Sequence, residues 1–329
     1  MKYLLIFVIC FFSCSSNTYI LVTNTGDTQG TYYYIKYMSE DGKSFQQGID
    51  SILNDIDLSL SIYNSNSIIT NINNGDSVKT DFLFNSVFKT SKEVYTKTNG
   101  AFDCSISPLV NYWGFYNYSA SKEILIDSSE ITNLLDSIGF DKIKLKNNFV
   151  KLPKNMRLDF NSLAQGFTVD LIGSYLKDQG INNFLVNVGG ENLASGTNQD
   201  GDMWKIGIEK PVNNISNDYK IILNLNNKAI ATSGNYRKFH ESNGIKYSHV
   251  LDPTTGFPAN NRLLSVSVIH NDCIIADAYA TAFMVMGVKK TKDFVKRNKD
   301  FEVFLIFSSK ENGDLETYIS PSLEKSVVD

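Results

Sequence analysis

Apolar residues recur along this chain with two periods, and the switches between them lay out its elements. Ile49, Ile52, Leu53, Ile56 and Leu60 fall at helical spacing and predict an amphipathic helix that ends near 61–64. A strand over 31–38 precedes it, and a second helix over 85–98 is stopped by Asn99-Gly100. A short helix near 130–137 leads into strands over 144–152 and 156–160. The segment 162–177 then reads as a helix closed by Gly180. Strands dominate the second half. The run 184–188 leads into Gly189-Gly190-Glu191, 204–209 alternates, and 220–225 is expected to pair with 228–232 across Asn226-Asn227, a hairpin signal. A strand over 263–270, a helix carrying Asp277 and a strand over 301–307 complete the pattern. Strands and helices without regular βαβ alternation predict an α+β fold, with mixed or antiparallel sheets and packed helices in one compact two-lobed domain.

The N-terminus reads differently. Lys2 followed by the apolar run 3–12 has the charge order and length of a secretory signal and is too short to span a bilayer as a permanent helix. The run ends in Phe12-Ser13-Cys14-Ser15-Ser16, which resembles a bacterial lipoprotein signal, although Phe11 is bulkier than usual there. Cleavage before Cys14 leaves a lipidated N-terminus; the alternative is an ordinary cleaved signal. The expected organisation is a signal peptide over 1–13, a polar tether over 14–28 and a catalytic domain over 29–329. Such a chain is lipid-anchored on the extracytoplasmic, periplasmic side of the cell membrane. Beyond Cys14, Cys104 and Cys273 have neither CxxC nor Cys/His metal spacing, and sequence alone does not decide whether they pair.

Composition narrows the chemistry. Over 329 residues, 42% hydrophobic and 20% charged content describes a globular chain. A net charge of -4 without a Lys/Arg-rich run leaves no footprint for nucleic acid. GxSxG, HExxH and Walker A patterns are absent, so the serine-hydrolase, zinc-protease and P-loop readings lose ground.

Four places carry candidate chemistry. Asp277 and Thr281 are one helical turn apart, so their oxygens either share a hard cation or serve as a helix cap and a backbone bond. The stretch from Arg157 through Asp159, Ser162, Gln165 and Gly166 to Asp170 passes from strand to helix. That helix start either meets a phosphate or is simply capped by Asp159 or Ser162. Gly189-Gly190-Glu191 is a plain bend or a close approach to a ligand. His249 precedes the turn 252–256, where a rigid loop holds it as a general base or as a structural imidazole.

In order along the chain, these segments resemble the ApbE-type FAD:protein FMN transferases. Gln29-Gly30-Thr31 is similar to the family's opening M-G-T, and 58–64 with Ser67-Ile68 to its L-S-x-Y-x-x-x-S-x-I. Gly100-Ala101-Phe102-Asp103, Pro108-Leu109 and Trp113-Gly114-Phe115 resemble its G-x-F-D, P-L and W-G-F. Residues 159–170 resemble D-x-G-x-I-A-K-G-x-x-x-D, 188–191 V-x-x-G-G-(D/E), and 231–234 T-S-G. The stretches 249–256 and 277–281 resemble H-I-x-D-P-x-T-G and D-A-x-A-T. The resemblance implies Mg2+ held by Asp277, Thr281 and the backbone carbonyl of Ser162. It implies FAD, as substrate, against Gln29, Tyr63, Ala101, Phe102, Asp103, Asp159, Gln165 and Leu251. The implied partner is an acceptor flavoprotein whose Thr or Ser hydroxyl receives FMN as AMP leaves. Hydrolysis of FAD to FMN and AMP, or storage of FAD without turnover, are the alternatives. Gln29 stands where the family commonly has Met and Gln165 where it commonly has Lys, so a positive charge is missing beside the expected pyrophosphate.

Overall fold

A computed structural model describes residues 19–116, 126–209, 219–235, 239–242, 245–311 and 313–328. The leader and Cys14 lie outside them. The described residues begin with β1 (Tyr19–Thr28) and β2 (Thr31–Glu40), joined by a two-residue turn in which Gln29 and Gly30 have φ of 50° and 72°. This corrects the expected tether, because residues 19–28 form a full strand. Of its ten residues only Asn24 is fully buried, while Leu21 and Val22 pack at the margins of two apolar clusters, so β1 shows no alternation and is held largely by backbone pairing to β2.

The helices α1 (Gln46–Leu60), α2 (Ile68–Asn73), α3 (Phe82–Lys97), α4 (Ser107–Tyr112) and α5 (Ser128–Leu135) follow. Asp81 caps α3 by accepting from Phe84 N, so this helix begins earlier than the apolar spacing indicated. The small hairpin β3 (Lys144–Lys146) and β4 (Phe149–Lys151) turns on Asn147 and Asn148, both at positive φ. The expected strand over 156–160 is not one. It is extended chain with a single parallel bridge from Arg157 to Ile106.

Next come α6 (Ala164–Asp178), β5 (Phe184–Val188), β6 (Glu191–Ser195), β7 (Trp204–Glu209), β8 (Tyr219–Leu225), β9 (Lys228–Gly234), β10 (Phe239–Ser242), β11 (Ile245–Ser248) and β12 (Leu263–His270). The chain continues through α7 (Cys273–Arg297), β13 (Glu302–Ser308) and β14 (Leu315–Ile319). Eight strands form one antiparallel sheet in the order β1-β2-β5-β6-β9-β12-β13-β14. The fold is α+β, as the element pattern predicted.

The β8–β9 hairpin expectation is wrong: β8 pairs with β7, and β9 lies between β6 and β12. Asn227 does take the positive φ of a tight turn, but the turn hands the chain from one sheet to another. Asn226 and Asn227 accept from Gly196 N and from the Ser195 hydroxyl, which ties that corner to β6.

One sheet face carries α1, α6 and α7 over two apolar clusters, and the other carries the β7–β8 ribbon over a third. Cys104 and Cys273 are both buried and unpaired. No helix among the described residues is long and apolar enough to cross a membrane.

Candidate active site

The pivot of the site is the contact between the start of α6 and the first turns of α7. Gly166 makes that contact possible: a Cβ there would lie 2.5 Å from the carbonyl oxygen of Cys273 and 2.8 Å from Cβ of Asp277. The glycine admits the neighbouring helix. With the helices this close, Gly166 N donates to Asp277 Oδ2 at 3.0 Å. Asp170, one turn further along α6, accepts from Cys273 N and Ile274 N at 2.8 and 2.9 Å. It thereby caps α7, whose own N-cap residue Asp272 makes no side-chain cap bond. Burial nevertheless pushes the Asp170 carboxyl up to about 7.

Two sequence alternatives fall at this point. Asp277 is inside α7 rather than at its cap. Thr281, unlike Thr96, Thr98 and Thr168, makes no bond to a backbone carbonyl four residues back among the described residues, which leaves its hydroxyl available to the cavity it lines. Neither Asp159 nor Ser162 caps α6: the N-cap residue is Leu163, without a side-chain cap bond. Asp159 accepts instead from Asn161 N and from the Tyr116 hydroxyl, both at 2.7 Å.

Around this pivot lies a cavity of about 950 Å3. Gln29, Tyr63, Ala101, Phe102, Asp103, Asp159, Ser162, Gln165, His249, Leu251, Asp277 and Thr281 all line it. Gln29 Nε2 donates to Thr168 Oγ1 at 2.6 Å, which pins the β1–β2 turn to α6. Gln165 Nε2 reaches over Gly189, leaving room only for a hydrogen there. Asp103 accepts from Ser105 N and Oγ in its own loop and from Phe140 N in the segment after α5. Tyr63 is 71% exposed, so it stands at the mouth.

His249 is half-buried, 6.3 Å from the Phe115 ring. The loop after it is firmly built. Asp252 Oδ1 accepts from Thr254 N and Oγ1, Gly256 N donates to Asp252 O, and Trp113 Nε1 donates to Gly256 O at 2.9 Å.

Burial, and after it the charge of Glu191, pushes the Asp277 carboxyl well above its usual range. Burial likewise pushes Glu191 up to about 7. A carboxylate, a hydroxyl and a nearby loop carbonyl are hard oxygen donors of the kind that could hold a divalent cation. Sequence reasoning saw Glu191 as part of a bend or of a close approach to a ligand, and matched it to a family motif, but gave its side chain no role. It missed Tyr116 altogether, whose pairing with Asp159 spans 43 positions and leaves no local pattern.

The chain from 29 to 305 matches the ApbE family model. It is 34% identical over 311 residues to the FAD:protein FMN transferase of Vibrio cholerae, covering 91% of each chain. It is 30% identical over 315 residues to the protein of the same name from Escherichia coli, covering 92% of this chain and 88% of that one. The solved structure of flavin transferase ApbE from Vibrio cholerae superposes with a TM-score of 0.84 at 32% identity, covering 94% of this chain and all of that one. The apo form of the Pseudomonas stutzeri flavinyl transferase ApbE gives 0.83 at 30% identity, covering 94% and 97%.

Proposed function

We propose that this chain, which belongs to the ApbE family, is an FAD:protein FMN transferase that works with Mg2+ held by Asp277, Thr281 and the carbonyl of Ser162. The observation that carries the reading is the convergence on one cavity of those three residues with His249 and the residues expected against FAD. When bound, Mg2+ neutralises charge on the pyrophosphate and makes AMP a better leaving group. Everything else falls to the chain. Gly166 N fixes the Asp277 carboxylate, and the N-terminal end of α6 adds its partial positive charge beside the phosphates. The Gly189-Gly190 turn lets backbone approach the ligand. His249, steadied by the loop 252–256, takes the proton from the acceptor's Thr or Ser hydroxyl. That oxygen forms the new bond to the FMN phosphorus as the bond to AMP breaks. Gln165 supplies hydrogen bonds where a lysine would supply charge.

Two features support an anchored enzyme: the charge and length of the first residues, and the Ser13-Cys14-Ser15 site. We place the domain on the extracytoplasmic face of the membrane, tied by a lipid on Cys14. Cys14→Ser should then move the protein from the membrane to the soluble fraction on cell fractionation, and retention in the membrane speaks against the lipid.

Incubating the mature domain with FAD, Mg2+ and a Thr-bearing acceptor tests the activity. Covalent in-gel flavin fluorescence on the acceptor is expected. Free FMN and AMP without labelled acceptor would mean hydrolysis, and FAD recovered intact would mean carriage.

A further inference from the structure

Glu191 is a buried acid of the cavity to which the mechanism above gives no task. It opens β6 directly after Gly189 and Gly190, whose φ of 65° and 114° turn the chain sharply. Its register partner is Val188, which packs with Val169, Ile172 and Cys273 of α6 and α7. Cross-strand partners share a face, so the acid stands on the helix side of the sheet, where Asp277 also lies. Glu191 is 7% exposed, and its Oε2 has no hydrogen-bond partner among the described residues. It lines the cavity with Ser162, Asp277 and Thr281, near enough to Asp277 for the two charges to repel. Asp277 has the Gly166 amide to stabilise it, while the free oxygen of Glu191 has no donor. A desolvated carboxylate beside another is tolerated where a cation serves both.

We propose that Glu191 is a further anchor of the divalent-cation site, its free Oε2 turned to the cation that Asp277, Thr281 and the Ser162 carbonyl hold. The inference rests on the metal reading above and adds a carboxylate to it. Two acids rather than one set the net charge of the protein's share of the site, and hence its preference for a doubly charged ion over a singly charged one.

Mn2+ titration of the mature domain, followed by the electron paramagnetic resonance of the free ion, tests this without turnover. Glu191→Gln should weaken Mn2+ binding about 10- to 100-fold, the range seen when a residue supporting a metal site is lost. Its melting temperature without metal should stay the same or rise, because a buried amide is less costly than a buried carboxylate. Glu191→Asp, which keeps the charge, should recover most of the affinity. Wild-type affinity in Glu191→Gln, with binding lost in Asp277→Ala, overturns the role of Glu191 and leaves the metal site standing. So does an Asp variant as weak as the Gln variant. Unchanged binding in Asp277→Ala would sink the metal site itself.

Discussion

His249 owes its place to a turn rather than to a helix or strand. Asp252 and Gly256 close the loop behind it, and the Trp113 indole holds the loop against α4. In the proposed mechanism this imidazole serves the acceptor hydroxyl and not the dinucleotide, which separates two measurable quantities. His249→Ala should lower the rate of FMN transfer by about 10²–10⁴ while FAD affinity, read by flavin fluorescence, stays within about twofold of wild type. An equal loss of FAD binding would make it a binding residue instead. At this scale the sequence was most legible where geometry follows local spacing. Asp277 and Thr281 share a helix face because four residues make one turn, and 249–256 forms its turn from its own Asp, Pro and Gly. It was least legible where a pairing is tertiary. Tyr116 meets Asp159, and Asp170 caps α7 from another helix, through contacts that no window of sequence contains.

The α6–α7 pair is the element on which the site turns. Gly166→Ala places a methyl against Cys273 O and Asp277 Cβ, so the helices must part. A destabilisation of about 1–3 kcal/mol, the cost of overpacking, should accompany weaker Mn2+ binding, seen by urea denaturation and metal titration of the same sample. A variant as stable and as tight as wild type would mean that the helices separate without consequence. Asp170 makes a second, pH-dependent prediction. Its carboxyl rises from 3.8 to about 7 in the folded chain, so the folded state keeps a proton that the unfolded state releases. That contribution to stability is complete below the unfolded value and is lost as pH rises through the folded one. The melting temperature of wild type relative to Asp170→Asn should therefore fall between about pH 4 and about pH 7; a constant difference would contradict the shift. Helices and buried strands were readable from their periods. β1 was not, since an edge strand with one buried residue shows no alternation, and the Asn226-Asn227 turn led to the wrong partner because a turn signal gives a bend without saying which strand waits beyond it.

Across the whole molecule, the cavity is an assembly that no single segment contains. The β1–β2 turn brings Gln29, the loop after α3 brings Ala101 and Phe102, the start of α6 brings Ser162 and Gln165, and α7 brings Asp277 and Thr281. Antiparallel order in the sheet sets β5, β6, β9 and β12 side by side, and the Gly189-Gly190 turn delivers Glu191 to the same space. The strand order was hidden in the sequence, because it joins residues far apart in the chain. The cavity's contents were legible through motifs whose spacing survives whatever the order of strands. The central claim, that oxygens from α7 and from the turn before α6 hold the cation needed to cleave FAD, is tested most directly by one rate comparison. Transfer of FMN to a threonine acceptor at saturating FAD and Mg2+ should fall by about 10²–10³ in Asp277→Ala, as expected for loss of one charge-stabilising group worth roughly 3–4 kcal/mol. Transfer at the wild-type rate by a folded Asp277→Ala protein would contradict the account.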